Sequence, residues 1–188
     1  MRRSIVTLIV GLVCTLGACG GGGDESDSGS TSDSSSSSSK DDADSGESFD
    51  PCSVITAAEA EKVLGYPVIQ EEDPAGGCSW RNEDDPRKAT FSVTKGMPAD
   101  QGGGIESAKA GTQSVLEGEP QEVPGVGDTS FLVVGKGKSF AKEAFQAQGV
   151  IEAGGQLITV GITQLGEASE DEVTEQATAG MKLVGSKV

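Results

Sequence analysis

QLITVGITQ, residues 156–164, is the stretch that decides the fold class. Ile158, Val160 and Ile162 are apolar and the residues between them are threonine or glycine, which predicts a β-strand with one buried face. Residues 142–152 form a second candidate strand just before it, and Ala-Gly-Gly at residues 153–155 fits a tight turn between the two. We therefore predict a β-hairpin, and with it an antiparallel sheet.

Three further stretches predict strands of the same sheet. Residues 88–95 alternate in the same way as the hairpin arm, with apolar side chains at every second position. Residues 76–82 and 129–134 are short and rich in residue types that favour strands. With the two arms of the hairpin, this predicts a sheet of about five strands.

Three helices are predicted from their caps and apolar spacing. The first begins after Thr56, which forms a capping box with Glu59, and it ends at Gly65. The second covers residues 105–116, and the third covers residues 169–184 and also opens with a capping box. The order α-β-β-α-β-β-β-α predicts an α+β domain with a mainly antiparallel sheet and helices packed on one face.

The amino-terminal end has the features of an export signal. Two arginines precede an uncharged apolar run, and the run ends in Leu-Gly-Ala-Cys, with the cysteine at position 19. This layout is typical of a secretory signal peptide, residues 1–18, and the run is too short for a membrane-spanning helix. Leu-Gly-Ala-Cys resembles the bacterial lipobox, which implies cleavage before Cys19 and lipid on its thiol, with acyl chains such as palmitate. Cys14 is a poorer candidate, because the bulky Val13 precedes it.

A low-complexity segment follows the predicted lipid site. Residues 20–48 consist almost entirely of Ser, Gly, Asp and Glu and carry no apolar side chain larger than alanine. Such a segment cannot bury enough apolar surface to offset the entropy of ordering it. We therefore expect three parts: a signal peptide (1–18), a lipidated cysteine with a disordered tether (19–48), and one folded domain (49–188).

Composition excludes several classes of function. The chain has no histidine, so a Ser-His-Asp triad, a Cys-His pair and a histidine-containing zinc site are all excluded. Its formal net charge of −16 argues against nucleic acid, since phosphates are bound by clustered Lys and Arg. No residue set with cofactor or metal spacing is found, and we expect neither.

Two cysteines remain in the predicted domain, Cys52 and Cys78. Export would place them in an oxidising compartment, where an even pair predicts one disulfide bond. The alternative is a redox-active pair. It is disfavoured because there is no Cys-x-x-Cys spacing, and Arg81 is the one basic residue close to either cysteine in sequence.

Four segments together resemble a known family. They are DPCSVIT at residues 50–56, Leu-Gly at 64–65, CSW at 78–80 and VPGVGDTSF at 123–131. This combination is similar to domain-of-unknown-function family 3558, a family of actinobacterial lipoproteins. The resemblance implies an extracytoplasmic lipoprotein with a small α+β domain. It implies no activity, and it supplies no catalytic residues.

The remaining candidate sites are weak. Gly-Val-Gly-Asp at residues 125–128 is interpreted as a tight turn in which Asp128 bonds its own backbone, because no helix follows to complete a phosphate site. The acidic clusters at 71–73 and 83–85 lack Ca²⁺-binding spacing and are interpreted as solvated loops. Two single aromatic residues, Tyr66 and Trp80, could line a ligand cleft or belong to the core. Two carboxylates, Asp128 and Glu152, lie near apolar runs but at predicted turns or strand ends.

We therefore expect a lipoprotein anchored through Cys19 to the outer face of the cell membrane, with a small non-catalytic domain. That domain would bind a small apolar ligand or an envelope protein, and an accessible pocket between helices and sheet would favour this function. The alternative is an accessory subunit of an envelope enzyme or transporter, which would present a flat partner surface.

Overall fold

The computed structural model describes residues 49–74, 76–137, 143–166 and 168–188. These residues form four helices and eight strands. The helices are α1 (Pro51–Val54), α2 (Ala57–Leu64), α3 (Gly104–Val115) and α4 (Glu170–Gly185). The strands are β1 (Ile69–Asp73), β2 (Gly77–Arg81), β3 (Thr90–Pro98), β4 (Leu116–Glu117), β5 (Gln121–Glu122), β6 (Thr129–Gly137), β7 (Phe145–Ala153) and β8 (Gln156–Thr163).

The strands form one sheet in the order β1-β2-β3-β8-β7-β6-β4, and β5 also pairs with β6. All of these pairings are antiparallel. The predicted hairpin is confirmed as β7 and β8, which place Ile151 opposite Ile158. Gly154 and Gly155 turn the chain between them with positive φ angles of 54° and 73°. The α+β class and the antiparallel sheet are therefore confirmed.

The predicted number of about five strands was too low, since the sheet has eight. Strands β4 and β5 have two residues each, which is too short for any hydrophobic period to show. Strand β1 reads IQEED, and it lies at the edge of the sheet with four of its five side chains exposed. An edge strand with this composition gives no apolar signal in the sequence.

Helix α2 begins and ends as predicted. The Thr56 hydroxyl accepts a hydrogen bond from the Glu59 N–H at 3.3 Å, and the Glu59 carboxylate accepts one from the Thr56 N–H at 2.9 Å. Gly65 then stops the helix with a φ of 81°.

Helix α4 packs closely on the centre of the sheet. Its predicted apolar stripe is buried and consists of Val173, Ala177, Met181 and Val184. Gly149 of β7 lies directly under Met181, so any larger residue at position 149 would collide with the Met181 sulfur. Gly180 likewise lies close to the Phe91 ring, which leaves no room for a larger residue there without a shift. These two glycines allow the helix and the sheet to approach.

The expectation that helices cover one face of the sheet was wrong. Helices α2 and α4 cover one face, where Leu132 and Val134 of β6 belong to the main hydrophobic cluster. The alternate residues of the same strand, Phe131 and Val133, form a second cluster against Ile105 of α3. The reason is that β6 is buried on both faces, so each face needs a helix to cover it.

Candidate functional site

A cleft of about 710 Å³ opens at one end of the sheet. Its walls are Tyr66 after α2, part of the loop between β2 and β3, part of the segment after β8, and the first turns of α4. We call it the α4 cleft. Its lining side chains are Tyr66, Asp85, Arg87, Lys88, Ala89, Gln164, Leu165, Ala168, Glu172 and Gln176, and Gly166 contributes backbone.

Tyr66 forms one wall of the α4 cleft and is held in place by its hydroxyl, which donates to the Ala89 carbonyl at 2.6 Å. Burial and the nearby Glu172 carboxylate raise the pKa of Tyr66 to about 12, although the bond to Ala89 opposes this shift. The phenol is therefore neutral at physiological pH, and it stays a hydrogen-bond donor.

The charged groups of the cleft differ in how they are paired. The Arg87 guanidinium contacts the Asp85 carboxylate at 3.2 Å, and the hydrogen bonds from Arg87 hold the pKa of Asp85 below its usual value. The Lys88 ammonium lies 4.8 Å from the centroid of the Tyr66 ring. Within the described part of the chain, neither Lys88 nor Glu172 takes part in a salt bridge. Lys88 nevertheless contributes to the lowered pKa of Asp85, and Glu172 contributes to the raised pKa of Tyr66.

Two glutamines form the buried part of the cleft wall. Gln164 is 5 % exposed; its amide nitrogen donates to the carbonyls of Phe145 and Ala168, and its oxygen accepts from the Ala168 N–H. Gln176 is 8 % exposed, and its amide nitrogen donates to the Leu64 carbonyl at 3.3 Å.

The oxygen of Gln176 has no hydrogen-bond partner among the described residues. Rotating the amide by half a turn would not help, because the oxygen would then face the Leu64 carbonyl, which is also an acceptor. A buried acceptor without a partner costs about 1–3 kcal/mol. The oxygen itself is inaccessible to solvent, so it lies behind the surface of the cleft.

The predicted disulfide is confirmed. Cys52 of α1 and Cys78 of β2 are bonded, with their Cα atoms 5.2 Å apart. The bond lies outside the lining of the α4 cleft and joins the first helix to the sheet. The predicted lipidation site, Cys19, lies outside the described residues, as do the predicted signal peptide and tether.

The two single aromatic residues have different roles. Tyr66 lines the cleft, whereas Trp80 is fully buried and stacks on Phe91 with ring centroids 5.1 Å apart. Gln164, Gln176 and Lys88 were not singled out from the sequence. Gln176 did carry a signal, because it lies three residues after Val173, on the face of α4 where apolar side chains recur.

The acidic clusters are only partly as expected. Residues 83–85 lie in a loop, but residues 71–73 belong to β1, where Glu71 forms a two-bond ion pair with Arg81. The interpretation of that cluster as a loop was wrong, since the Arg81 guanidinium on the neighbouring strand stabilises it as an edge strand. No group of three potential metal ligands occurs within the described ranges.

The Gly-Val-Gly-Asp segment is a turn, as predicted, with positive φ at Gly125 and Gly127. However, the Asp128 carboxylate accepts from the Gly154 N–H at 3.1 Å instead of bonding its own backbone. Because the Asp128 N–H also donates to the Glu152 carbonyl, the turn is tied to the tip of the β7–β8 hairpin. Asp128 and Glu152 both lie outside the lining of the α4 cleft.

Comparison with known proteins identifies the family. The family model described as "Protein of unknown function (DUF3558)" matches residues 14–149, which is more than half of the chain. The chain therefore belongs to this family. No curated protein and no solved structure matches the chain. No helix within the described ranges is long and apolar enough to cross a membrane.

Proposed function

We propose that this member of the DUF3558 family is a lipoprotein of the actinobacterial cell envelope whose domain binds a small ligand in the α4 cleft without transforming it. Lipid on Cys19 would hold the protein on the outer face of the cell membrane, and residues 20–48 would serve as the tether.

One observation carries the binding function. The α4 cleft combines apolar surface from Tyr66, Ala89, Leu165 and Ala168 with charged side chains and the amides of Gln164 and Gln176. Ligand sites typically consist of an apolar surface with a few polar groups that fix orientation, and they have volumes of about 300–1,000 Å³. This favours a binding module over an accessory subunit, for which a flat surface without a pocket was expected. The cleft is of mixed polarity, so the ligand we propose is amphipathic and not purely apolar.

The pKa shifts of Tyr66 and Asp85 argue against either residue as a general acid or base. A general acid or base works best when its pKa lies near the working pH. In the α4 cleft, the pKa of Tyr66 is raised to about 12 and that of Asp85 is lowered. Both shifts move a candidate group away from neutrality.

The anchor rests on the sequence. A charged start, an apolar run and Leu-Gly-Ala-Cys19 together fit a lipoprotein signal. One acyl chain binds a membrane only marginally, with about 0.8 kcal/mol per buried CH₂, whereas two or more chains on one residue anchor it stably.

Co-purification tests the proposed function. The full-length chain is purified from the cells that naturally produce it, extracted with organic solvent, and the extract is analysed by mass spectrometry. We expect a small molecule that is present in a stoichiometric amount with the wild type and is lost from Ala168→Phe, which fills the cleft. Ala179→Phe is the matched control, because Ala179 is also partly buried but lies outside the cleft.

Circular dichroism would confirm that both variants are folded. A compound that remains bound to Ala168→Phe, or an extract with no specific compound from any of the three proteins, would overturn the proposal.

A further inference from the structure

We propose that Asn82 is a positioning residue for the α4 cleft, whose side-chain amide joins two segments of the cleft wall and fixes them before a ligand binds. Asn82 lies directly after β2 and outside the lining of the cleft, so it acts through its neighbours and not on the ligand. This inference rests on the proposed function, because it concerns how the walls of the same site are held in place.

The Asn82 side chain is buried between these two segments, with 7 % of its surface exposed. Its Nδ2 donates to the carbonyl of Pro67, the residue after Tyr66, at 2.8 Å. Its Oδ1 accepts from the Asp85 N–H, also at 2.8 Å. The opposite amide orientation would place a donor against a donor and an acceptor against an acceptor. One planar group therefore makes both contacts, and it sets the separation between the chain at Pro67 and the loop at Asp85.

On the loop side, the bond to Asp85 is continued by further hydrogen bonds. The Asp85 carboxylate accepts from the Arg87 N–H at 3.1 Å, and the Asp85 carbonyl accepts from the Lys88 N–H at 3.2 Å. The Arg87 carbonyl accepts from the Leu165 N–H at 3.3 Å, which joins the loop to the segment after β8. These four residues all line the α4 cleft. The position of this wall therefore depends on a series of bonds that begins at Asn82.

On the other side, the bond to Pro67 holds the chain next to Tyr66. The Tyr66 hydroxyl donates to the Ala89 carbonyl at 2.6 Å, so the same two segments are joined a second time, at the cleft itself. That bond can form only while residues 66–67 and residues 85–89 keep their separation, which the Asn82 amide fixes. Walls that are fixed before binding spare the ligand the entropic cost of ordering them.

Two variants of the full-length protein separate the two bonds. Asn82→Ser keeps an oxygen that can accept from the Asp85 N–H but is too short to reach the Pro67 carbonyl, whereas Asn82→Ala loses both contacts. Ser130→Ala is the matched control, because the buried Ser130 hydroxyl also bonds a backbone carbonyl, that of Val123, at 2.8 Å. Ser130 lies outside the cleft lining. If Asn82→Ala does not fold, Asn82→Ser carries the test.

Two readouts report on the cleft walls and not only on stability. Phenolate absorbance gives the pKa of Tyr66, the single tyrosine, and amide hydrogen exchange reports on opening of residues 85–89. In Asn82→Ser we expect the Tyr66 pKa to fall from about 12 by about half a unit or more, because water then reaches the phenol. Exchange of the loop amides should become about tenfold faster or more. Ser130→Ala should lower the melting temperature and leave both readouts at their wild-type values.

A wild-type value of either readout in folded Asn82→Ser would overturn the inference, since Asn82 would then add stability alone. Equal changes in Ser130→Ala would overturn it as well. Co-purification separates this inference from the proposed function. If both readouts change in Asn82→Ser but no compound co-purifies with the wild type, Asn82 still positions the walls and the ligand site fails. If a compound is lost from Ala168→Phe but fully retained by Asn82→Ser, the ligand site stands and the role of Asn82 in it is refuted.

Discussion

Gln176 shows how a cleft-lining residue can be concealed in a structural pattern. It lies on the buried face of α4, beside Val173 and Ala177, yet it carries an amide into the wall of a cleft. A buried polar side chain is tolerated when its hydrogen bonds are made, and Gln164, which also lines the cleft, makes them. Gln176 makes only part of its bonds within the described structure. That difference between the two glutamines could not be predicted from the sequence, because it depends on which carbonyls and N–H groups the fold brings near.

At the scale of single residues, titration of Tyr66 tests the geometry of the cleft. The chain has one tyrosine, so phenolate absorbance reports on this residue alone. We expect a pKa of about 12, and a lower one in Glu172→Gln, since the charge at position 172 contributes to the shift. The folded state then holds a proton that the unfolded state releases between pH 10 and 12, so stability should fall as pH rises through that window.

Glu175→Gln serves as the control for Glu172→Gln and should leave the titration unchanged. Tryptophan fluorescence recorded in parallel shows whether the domain is still folded. A wild-type midpoint near 10 in the folded protein would mean that Tyr66 is not held as described.

Glu59 gives a second test, at acidic pH. Its carboxylate accepts from Lys187 Nζ at 2.8 Å and from Thr56, and these hydrogen bonds lower its pKa from 4.5 to about 2. The stability that these contacts contribute is present above pH 4.5 and is lost as pH falls toward 2. In Lys187→Met, nuclear magnetic resonance titration should give a higher Glu59 pKa and a shallower loss of stability across that window.

Lys182→Met, in the last turn of α4, is the matched control, because Lys182 forms no ion pair within the described part of the chain. An unchanged Glu59 pKa in Lys187→Met would show that the contact between the carboxyl-terminal end and α2 is not made in solution.

Among the elements, those with a strong local signal were predicted and those determined by tertiary packing were not. The capping box of α2, the β7–β8 hairpin and the apolar stripe of α4 are each determined by residues that lie close together in the sequence. The two-residue strands and the position of α3 depend on β6, whose two buried faces need separate cover. Helix α3 itself was predicted, but Val115 at its end is 49 % exposed, and the one residue of α3 that is buried is Thr112.

At the scale of secondary-structure elements, the contribution of the disulfide between α1 and β2 to stability can be tested. It closes a loop with a sequence separation of 26 residues. The chain-entropy model assigns about 3.5 kcal/mol to a loop of this length. Reduction, or the double variant Cys52→Ala/Cys78→Ala, should therefore lower the melting temperature by several degrees.

Adding reductant to the double variant is the control and should cause no further change. If reduction left the wild-type melting temperature unaltered while free thiols appeared, the bond would contribute nothing to the stability of the domain.

At the scale of the whole molecule, the features that predict location and those that predict binding lie in different parts of the chain. The proposed anchor is at Cys19, and the α4 cleft is assembled from residues 66–176. The first could be predicted from short-range sequence, since a lipobox is a local motif. The cleft could not, because its walls come from a loop, a strand end and a helix that are distant in sequence.

Cys19→Ser tests the anchor. In cells labelled with a fatty acid, we expect the variant to lose the acyl label, because no thiol is left to carry the lipid. The variant should also leave the membrane fraction or accumulate as an uncleaved precursor. Cys14→Ser provides the matched control within the same apolar run and should be labelled and fractionate like the wild type. Unchanged membrane association and labelling of the Cys19 variant would refute the anchor.

The most direct test of the central claim, that the α4 cleft is a ligand site, is a crystal structure of the mature protein. The protein would be purified from the cells that naturally produce it and crystallised without added ligand. We predict electron density for an organic molecule in the α4 cleft, in contact with the Tyr66 ring and with Ala168. A cleft that holds only ordered water, or a bound molecule on the opposite face of the sheet beside α3, would contradict the claim.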